Sequence, residues 1–518
     1  MRVYRLALAC CLITACLTAC DRTHQAAQEK SVSWLSLCPD FSKTGKAVVE
    51  QNAQCGVFSV LENPQNPQGK KIPINVLLLP AVNPVPERDP LFVVAGGPGQ
   101  SAVVVAESLH SAFNDIRKNR DIVFVDQRGT GKSNPLDCEL ETEASQQLSE
   151  SEQEAFTQKA IAQCINTIKD ISVFYTTPYA VADLDAVRAE LGYEKINLWG
   201  GSYGTRVVLE YMRRYPIRAR AGVLDGVAPV DIALPWSMET DGLAALEALN
   251  TQCAKTKACV DTYGDIVKKA KVVSDRLSQK PVAITIPHPR TQEKGVVNLS
   301  AEDFSGVIRL ALYSRDLSSL IPRVISEAES GNYELFASLI YLAKSKSDLA
   351  GVSYGMHYSV VCNEDYPLYK NKNAAESNVF LNAHSVQKYS KVCEQLPLGK
   401  MSDDYWQPIL SDVPALLLSG AMDPVTPPRW GELVKQRLKN AEHFVVPGGH
   451  HIVTAEGCVA QLITAFIAKA NAQSMDASCV KNIQPLAIHL PVSAYATDEE
   501  SNTASQDDSA TRELREQK

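Results

Sequence analysis

Apolar positions in this chain fall into two kinds of run. Short continuous runs bounded by glycine or polar turns read as strands buried on both faces, the pattern of a parallel sheet. Leu91-Phe92-Val93-Val94-Ala95 and Ile122-Val123-Phe124-Val125 are of this kind. Longer stretches with apolar residues three and four apart read as helices. Cys55 to Leu61 and Ile72 to Leu79 predict a paired start to a sheet. Lys195 to Trp199 predicts a strand, followed by a helix from near Thr205 that carries Val207, Val208, Tyr211 and Met212 and stops before Pro216. Pro178 to Leu191 is amphipathic, with Gly192 at its end. Strands at Ala221 to Gly226, Val413 to Gly420 and His443 to Val446, with helices at Pro428 to Lys439 and Ile452 to Ala470, continue the alternation. Strand, helix, strand in this rhythm predicts right-handed crossovers and an α/β fold around a mostly parallel sheet.

The rhythm breaks at about Val230 and resumes after about Trp406. Between them, helical stretches such as Leu243 to Lys257, Ala301 to Ser314 and Tyr333 to Lys344 follow one another without buried strands. A mainly helical cap inserted between core strands six and seven is expected. The chain then divides into a leader (1–20), a tether (21–37), a first part of the core (38–229), the cap (230–405), a second part of the core (406–480) and an acidic, disordered tail (481–518).

The leader has a basic head, Met1 to Arg5, and an apolar stretch from Leu6 to Leu17 that is too short to span a bilayer. It ends Leu17-Thr18-Ala19-Cys20, similar to a bacterial lipobox, which makes Cys20 the expected lipidation site. Cys16 is a second candidate, and an ordinary secretory signal is the alternative. Asp21 resembles the signal that retains lipoproteins in the inner membrane of Gram-negative bacteria, so a periplasm-facing, membrane-anchored protein of the cell envelope is expected. Export agrees with cysteine usage: of 14 cysteines, those at 10, 11, 16 and 20 lie in the leader, leaving an even set. Nearest-neighbour pairing gives 38–55, 138–164, 253–259, 362–393 and 458–479. No cysteine or histidine spacing suits a metal, and none is expected. A net charge of −8 and a pI near 5.7 argue against a nucleic-acid partner.

The chemistry centres on Gly200-Gly201-Ser202-Tyr203-Gly204. A G-x-S-x-G between a strand and a helix makes a strained elbow that exposes the serine hydroxyl. Ser202 as nucleophile needs a base, and the base needs an acid to orient it. The loops after the last two core strands supply Gly420-Ala421-Met422-Asp423-Pro424 and Pro447-Gly448-Gly449-His450-His451. Asp423 is the expected acid. His450 is preferred over His451 as the base, because two glycines directly before it let the loop turn the imidazole inward. The oxyanion of an acyl-transfer transition state needs two N–H donors. The backbone of Tyr203 and that of Gly97, in Gly96-Gly97-Pro98-Gly99, are the expected pair.

These segments, with Asp126-Gln127-Arg128-Gly129-Thr130-Gly131-Lys132-Ser133 and Asp423-Pro424-Val425-Thr426-Pro427, resemble the prolyl and tripeptidyl aminopeptidase branch of the α/β-hydrolases. The resemblance covers nearly all of Cys38 to Cys479. It implies a serine exopeptidase that releases short N-terminal pieces from peptides, with no cofactor. It departs at His451, where relatives often have glycine after the catalytic histidine. It also implies that Asp126 and Arg128 are structural, and Asp225 is read the same way. A peptide α-ammonium needs a carboxylate partner. Val360-Val361-Cys362-Asn363-Glu364-Asp365 offers two in the insertion, with Glu364 preferred over Asp365. A carboxylesterase on the same scaffold and a non-catalytic binding protein are the alternative readings.

Overall fold

A computed structural model describes residues 33–38, 52–140, 150–234, 236–287, 292–347, 351–370 and 383–493. The leader, with Cys20, lies outside the described residues. Among the described residues no helix is long and apolar enough to cross a membrane.

Nine strands form one sheet in the order β1-β2-β3-β5-β4-β6-β7-β10-β11. They are β1 (Leu35–Leu37), β2 (Gln54–Leu61), β3 (Lys71–Leu79), β4 (Leu91–Val94), β5 (Ile122–Val125), β6 (Ile196–Gly201), β7 (Ala219–Asp225), β10 (Ala415–Gly420) and β11 (Ala441–Val446). The first three are antiparallel to their neighbours, and every pair from β5 onward is parallel. The continuous apolar runs occupy the centre: every residue of β4, β5, β6 and β10 is buried. Side chains alternate between the faces. Phe92, Val94 and Leu198 enter one core, whereas Leu91, Val93 and Trp199 enter the other. Helices cover both faces, as burial of a parallel sheet requires.

The insertion between β7 and β10 is mainly helical, as expected. Helices Met238–Cys253, Ile266–Gln279, Ala301–Leu312, Ile321–Glu329 and Glu334–Ser347 surround a separate core that includes Leu246, Ile266, Phe304 and Phe336. This layer also contains an antiparallel hairpin, β8 (Val282–Pro287) and β9 (Lys294–Leu299). The hairpin was not expected from the sequence because only one of its faces is covered. Ile286, Val297 and Leu299 are buried while their neighbours are not, so no continuous apolar run announces it. Met356, Val360, Val361, Tyr366 and Ile409, further along the insertion, join a sheet-face core and not the cap core.

All five nearest-neighbour disulfides are present: 38–55, 138–164, 253–259, 362–393 and 458–479. The expected disordered tail begins too early at 481. Ile488 and Leu490 join the cap core, and the Tyr263 hydroxyl and Ser319 carbonyl hold the backbone of His489 at 2.5 and 3.0 Å.

Candidate active site

β6 ends at Gly201 and the next helix begins at Tyr203, leaving Ser202 on the turn with φ 55° and ψ −126°. A non-glycine residue held there costs about 1–3 kcal/mol, and its neighbours impose it. The Ser202 N–H donates to the Asp225 carbonyl at 2.8 Å. The Thr205 N–H and hydroxyl donate to the Ser202 carbonyl at 2.9 and 2.6 Å. The flanking glycines are dictated by crowding: a Cβ on Gly200 would lie 2.3 Å from the Gly204 carbonyl oxygen, and one on Gly204 2.5 Å from that of Val94.

The loop after β4 runs beside the elbow, so that a Cβ on Gly96 would stand 3.0 Å from the Ser202 Cβ. Asp126, buried at the end of β5, braces this loop by accepting from the Ser101 hydroxyl at 2.6 Å and the Val103 N–H at 3.0 Å. Arg128 binds Asp183 through two nitrogens at 2.6 and 2.7 Å and donates to the Glu62 and Phe174 carbonyls. Both residues have structural partners.

The loops after β10 and β11 meet at the same edge, and there the structure corrects the preference for His450. Nδ1 of His451 lies 2.9 and 3.1 Å from the two carboxylate oxygens of Asp423. The His450 ring points the other way. Its Nδ1 is 2.7 Å from the Leu312 carbonyl oxygen and its Nε2 is 3.2 Å from the Ser318 hydroxyl, both in the cap. Successive side chains leave the loop on opposite sides, so only one imidazole can face Asp423. The glycine turn delivers His450 to the cap. What aims His451 is the segment that follows. Ile452 has φ 66°, a strained value for a β-branched residue. The buried Asp225 carboxylate secures that turn by accepting from the N–H of Val453, at 3.0 Å, and from the N–H and hydroxyl of Thr454 at 2.7 and 2.6 Å. A Cβ on Gly226 would lie 3.5 Å from Cε1 of His451. The adjoining Asp225 carbonyl holds the Ser202 N–H, so the imidazole and the elbow share one edge.

The pair is electrostatically coupled. Burial disfavours the His451 imidazolium, but the Asp423 charge and hydrogen bond outweigh it and raise the pKa above the usual 6.5. Burial likewise opposes ionisation of Asp423. The His451 charge and the hydrogen bonds from His451, Thr426 and Val425 prevail and lower its pKa below 3.8. With Nδ1–H donated to Asp423, Nε2 is the basic nitrogen. The stabilisation seen at His451 is complete below its unfolded pKa and lost as pH rises through the folded value. That seen at Asp423 is present above its unfolded pKa and lost as pH falls through the folded value.

Glu364 and Asp365 are not presented to the site. Both are fully buried beneath the elbow helix Tyr203–Arg214, on a π-turn from Val361 to Asp365. Glu364 accepts from the Thr177 N–H and hydroxyl at 2.6 and 2.8 Å and from the Tyr405 hydroxyl. Arg206 pairs with Asp365 at 2.9 Å and approaches Glu364 at 3.5 Å. Burial raises both carboxyls, Asp365 to about 7, against the opposing charge of Arg206. A substrate ammonium would have to displace a guanidinium that the fold already holds. The pair instead ends a chain that reaches the elbow, since the Thr177 hydroxyl is also 2.7 Å from that of Tyr203.

Two site residues escaped the sequence reading. Thr426 donates its N–H and hydroxyl to Asp423 at 2.9 and 2.8 Å; the D-x-x-T spacing of a side-chain-capped turn was the available signal. Tyr313, at the end of the cap helix Ala301–Leu312, sets its ring edge-on to His451 with centroids 5.0 Å apart. No local signal marks a residue whose role comes from the way the cap is seated.

A parallel sheet with a serine elbow after one central strand, and an Asp–His pair on the loops after the last two, defines an α/β-hydrolase. The chain has that fold. The family described as alpha/beta hydrolase fold matches residues 89–247, and that described as TAP-like protein matches residues 378–479. Serine protease Hip1 of Mycobacterium tuberculosis is 23% identical over 516 residues, covering 92% of this chain and 96% of its own. Tripeptidyl aminopeptidase of Streptomyces coelicolor is 29% identical over 188 residues, 34% of this chain and 35% of its own. Proline iminopeptidase of Neisseria gonorrhoeae is 28% identical over 165 residues, 31% and 40% respectively. These relatives, to which the chain is similar, are named as a serine protease and two aminopeptidases.

His451→Ala should lower kcat by about 10³-fold or more, whereas His450→Ala should keep most of it. The acid limb of kcat/KM should lie above the ordinary imidazole value of about 6.5, because a base must be neutral to act. Asp423→Asn should move the limb of the residual activity to lower pH. A limb below 6.5 in the wild type would contradict the coupling.

Glu364→Gln should change turnover of free-amine and N-acetylated peptides by the same factor. Arg206→Leu, which strands two buried carboxylates, should cost about 3–5 kcal/mol in denaturant unfolding. A loss confined to free-amine peptides in Glu364→Gln would restore the amine-binding role.

Proposed function

We propose that the protein cleaves peptide amides through an acyl-enzyme on Ser202, as an aminopeptidase that releases short N-terminal pieces. The observation that carries this reading is the 2.9 Å contact between His451 Nδ1 and Asp423, on the edge that bears the serine elbow. The Ser202 hydroxyl attacks the scissile carbonyl as His451 Nε2 takes its proton. Asp423 holds the ring in the required tautomer and stabilises the imidazolium. The oxyanion lies against the N–H of Tyr203, at the start of the elbow helix, and that of Gly97. His451 then passes its proton to the departing amine, and water, activated by the same nitrogen, releases the acyl piece. The curated names of the relatives support peptides as substrates, and the two aminopeptidases among them support cleavage at the N-terminus.

Export fits the same reading. We infer that Cys20 carries a lipid anchor that holds the enzyme at the periplasmic face of the inner membrane. The lipobox-like Leu17-Thr18-Ala19-Cys20 and five disulfides, which persist in oxidising compartments, support it.

A fluorophosphonate should add its mass to the peptide that contains Ser202 and leave Ser202→Ala unlabelled. On chromogenic amides of one to three residues beside short-chain esters, the wild type should turn over amides with a free amine. Hydrolysis of esters alone would make the protein an esterase.

Metabolic labelling with a palmitate analogue should mark the wild type and not Cys20→Ser. Label that persists in the mutant would place the anchor elsewhere, at Cys16 first.

A further inference from the structure

Glycine lets the loop after β4 come close to Ser202, and it also leaves that loop soft. Gly97 and Gly99 have positive φ, 106° and 107°, values that glycine adopts freely at an entropic cost. Pro98 between them has no N–H with which to tie itself down. An oxyanion donor, however, works only if it is fixed before the charge develops. The far end of the loop is fixed by Asp126, through Ser101 and Val103. What fixes its middle comes from the insertion.

Three contacts do so, all from residues 352–357. The Ser353 N–H donates to the Gly99 carbonyl at 2.9 Å, and Val352 bridges Gln100 in antiparallel register. Nδ1 of His357 lies 3.0 Å from the Pro98 carbonyl oxygen. A carbonyl only accepts, so Nδ1 carries the proton, and in the neutral ring Nε2 is left as an acceptor. Nε2 lies 2.9 Å from the Tyr389 hydroxyl, which therefore donates to it. Burial pushes the ring's pKa down to about 4, so near neutral pH the two bonds admit one tautomer.

The platform that carries His357 is well anchored. Its helix, Tyr354–Val360, is pinned at its start by the Ser353 hydroxyl, 2.5 Å from Asp137, and by the Gly355 N–H, 2.8 Å from the Leu136 carbonyl. The rings of Tyr354, Tyr358 and Tyr389 stand around the imidazole with centroids 6.3, 5.9 and 5.6 Å away. Tyr389 lies on the helix Ala383–Cys393, about one turn before Cys393. The 362–393 disulfide fastens that helix to the segment that follows His357.

We infer that His357 is a positioning residue of the oxyanion hole: through the Pro98 carbonyl it holds the glycine loop with the Gly97 N–H turned to the reacting carbonyl, and Tyr389 sets the tautomer that lets it do so. This rests on the reading of Gly97 as an oxyanion donor to Ser202 chemistry. His357 acts through the loop and not on the substrate, so its effect belongs in kcat and not in KM.

The test compares His357→Phe, which fills the space without a donor, with His357→Asn, whose amide nitrogen falls near the position of Nδ1. The full-length proteins are assayed on whichever chromogenic amide or ester the wild type cleaves, with kcat expressed per site titrated to completion by a fluorophosphonate. His357→Phe should lower kcat about tenfold to a hundredfold with KM within about twofold, a smaller loss than the roughly 10²–10³ of deleting a donor. Its Ki for a short boronic acid, whose tetrahedral adduct on Ser202 places an oxygen in the oxyanion hole, should rise by a similar factor. His357→Asn should recover most of both. Tyr389→Phe should lower kcat by itself and have no further effect when added to His357→Phe. In 15N NMR of histidine-labelled protein, the His357 signals, assigned by their loss in His357→Asn, should show the proton on Nδ1. An unchanged kcat and boronate Ki in His357→Phe, a loss seen only in KM, an Asn variant as impaired as the Phe variant, or a proton on Nε2 would overturn the proposal. Cleavage of esters alone would refute the peptidase reading and leave each of these comparisons in force, and the tautomer is read without turnover.

Discussion

The arrangement depends on a single buried contact, the one between the His451 imidazole and the Asp423 carboxylate. A lone carboxylate at that depth would be driven to its neutral form, and a lone imidazole would lose its charge and its orientation. Together, with the N–H groups of Val425 and Thr426 and the Thr426 hydroxyl filling the remaining acceptor sites, they give an ionised acid and a ring of one tautomer. Everything around the pair exists to put it beside Ser202. The last two parallel strands deliver the two loops to the elbow's edge of the sheet, and Asp225 secures the turn that follows the histidine.

The site is thus built from polar groups that the fold has buried and satisfied. Asp126 braces the loop beside the elbow, Asp225 secures the histidine turn, and the Arg206, Glu364 and Asp365 cluster sits beneath the elbow helix. Each works by accepting or donating several hydrogen bonds at once, which offsets the cost of burial. The cap contributes differently. It touches the catalytic loop through His450, on Leu312 and Ser318, and it covers the base with Tyr313. Histidines adjacent in sequence therefore serve two layers: one faces the chemistry and the other ties the roof to it.

Much of this could be read from the sequence, for identifiable reasons. Parallel strands buried on both faces leave continuous apolar runs, so Leu91 to Ala95 and Ile122 to Val125 were legible, as was the crowding that puts glycine at 200 and 204. Nearest-neighbour cysteines paired as expected. What was not legible depends on side-chain direction or on packing between layers. Two glycines before His450 argued for an inward turn, but the direction of the next residue is set by Asp225, more than 200 positions away in the chain. Glu364 and Asp365 read as carboxylates open to a substrate amine because their partner, Arg206, lies 158 positions from Glu364 in the chain. The half-covered hairpin β8–β9, and the return of Met356, Val360, Tyr366, Ile409 and Val413 to the sheet-face core, left no periodic signal of their own.

The central claim is that His451, and not His450, carries the hydrogen bond to the catalytic carboxylate. Proton NMR tests it directly, since an imidazole Nδ1–H shared with a buried carboxylate resonates far downfield of the amide envelope. The wild type should show such a resonance. It should vanish in His451→Gln and in Asp423→Asn and persist in His450→Gln. A resonance that survives His451→Gln and disappears in His450→Gln would contradict the account.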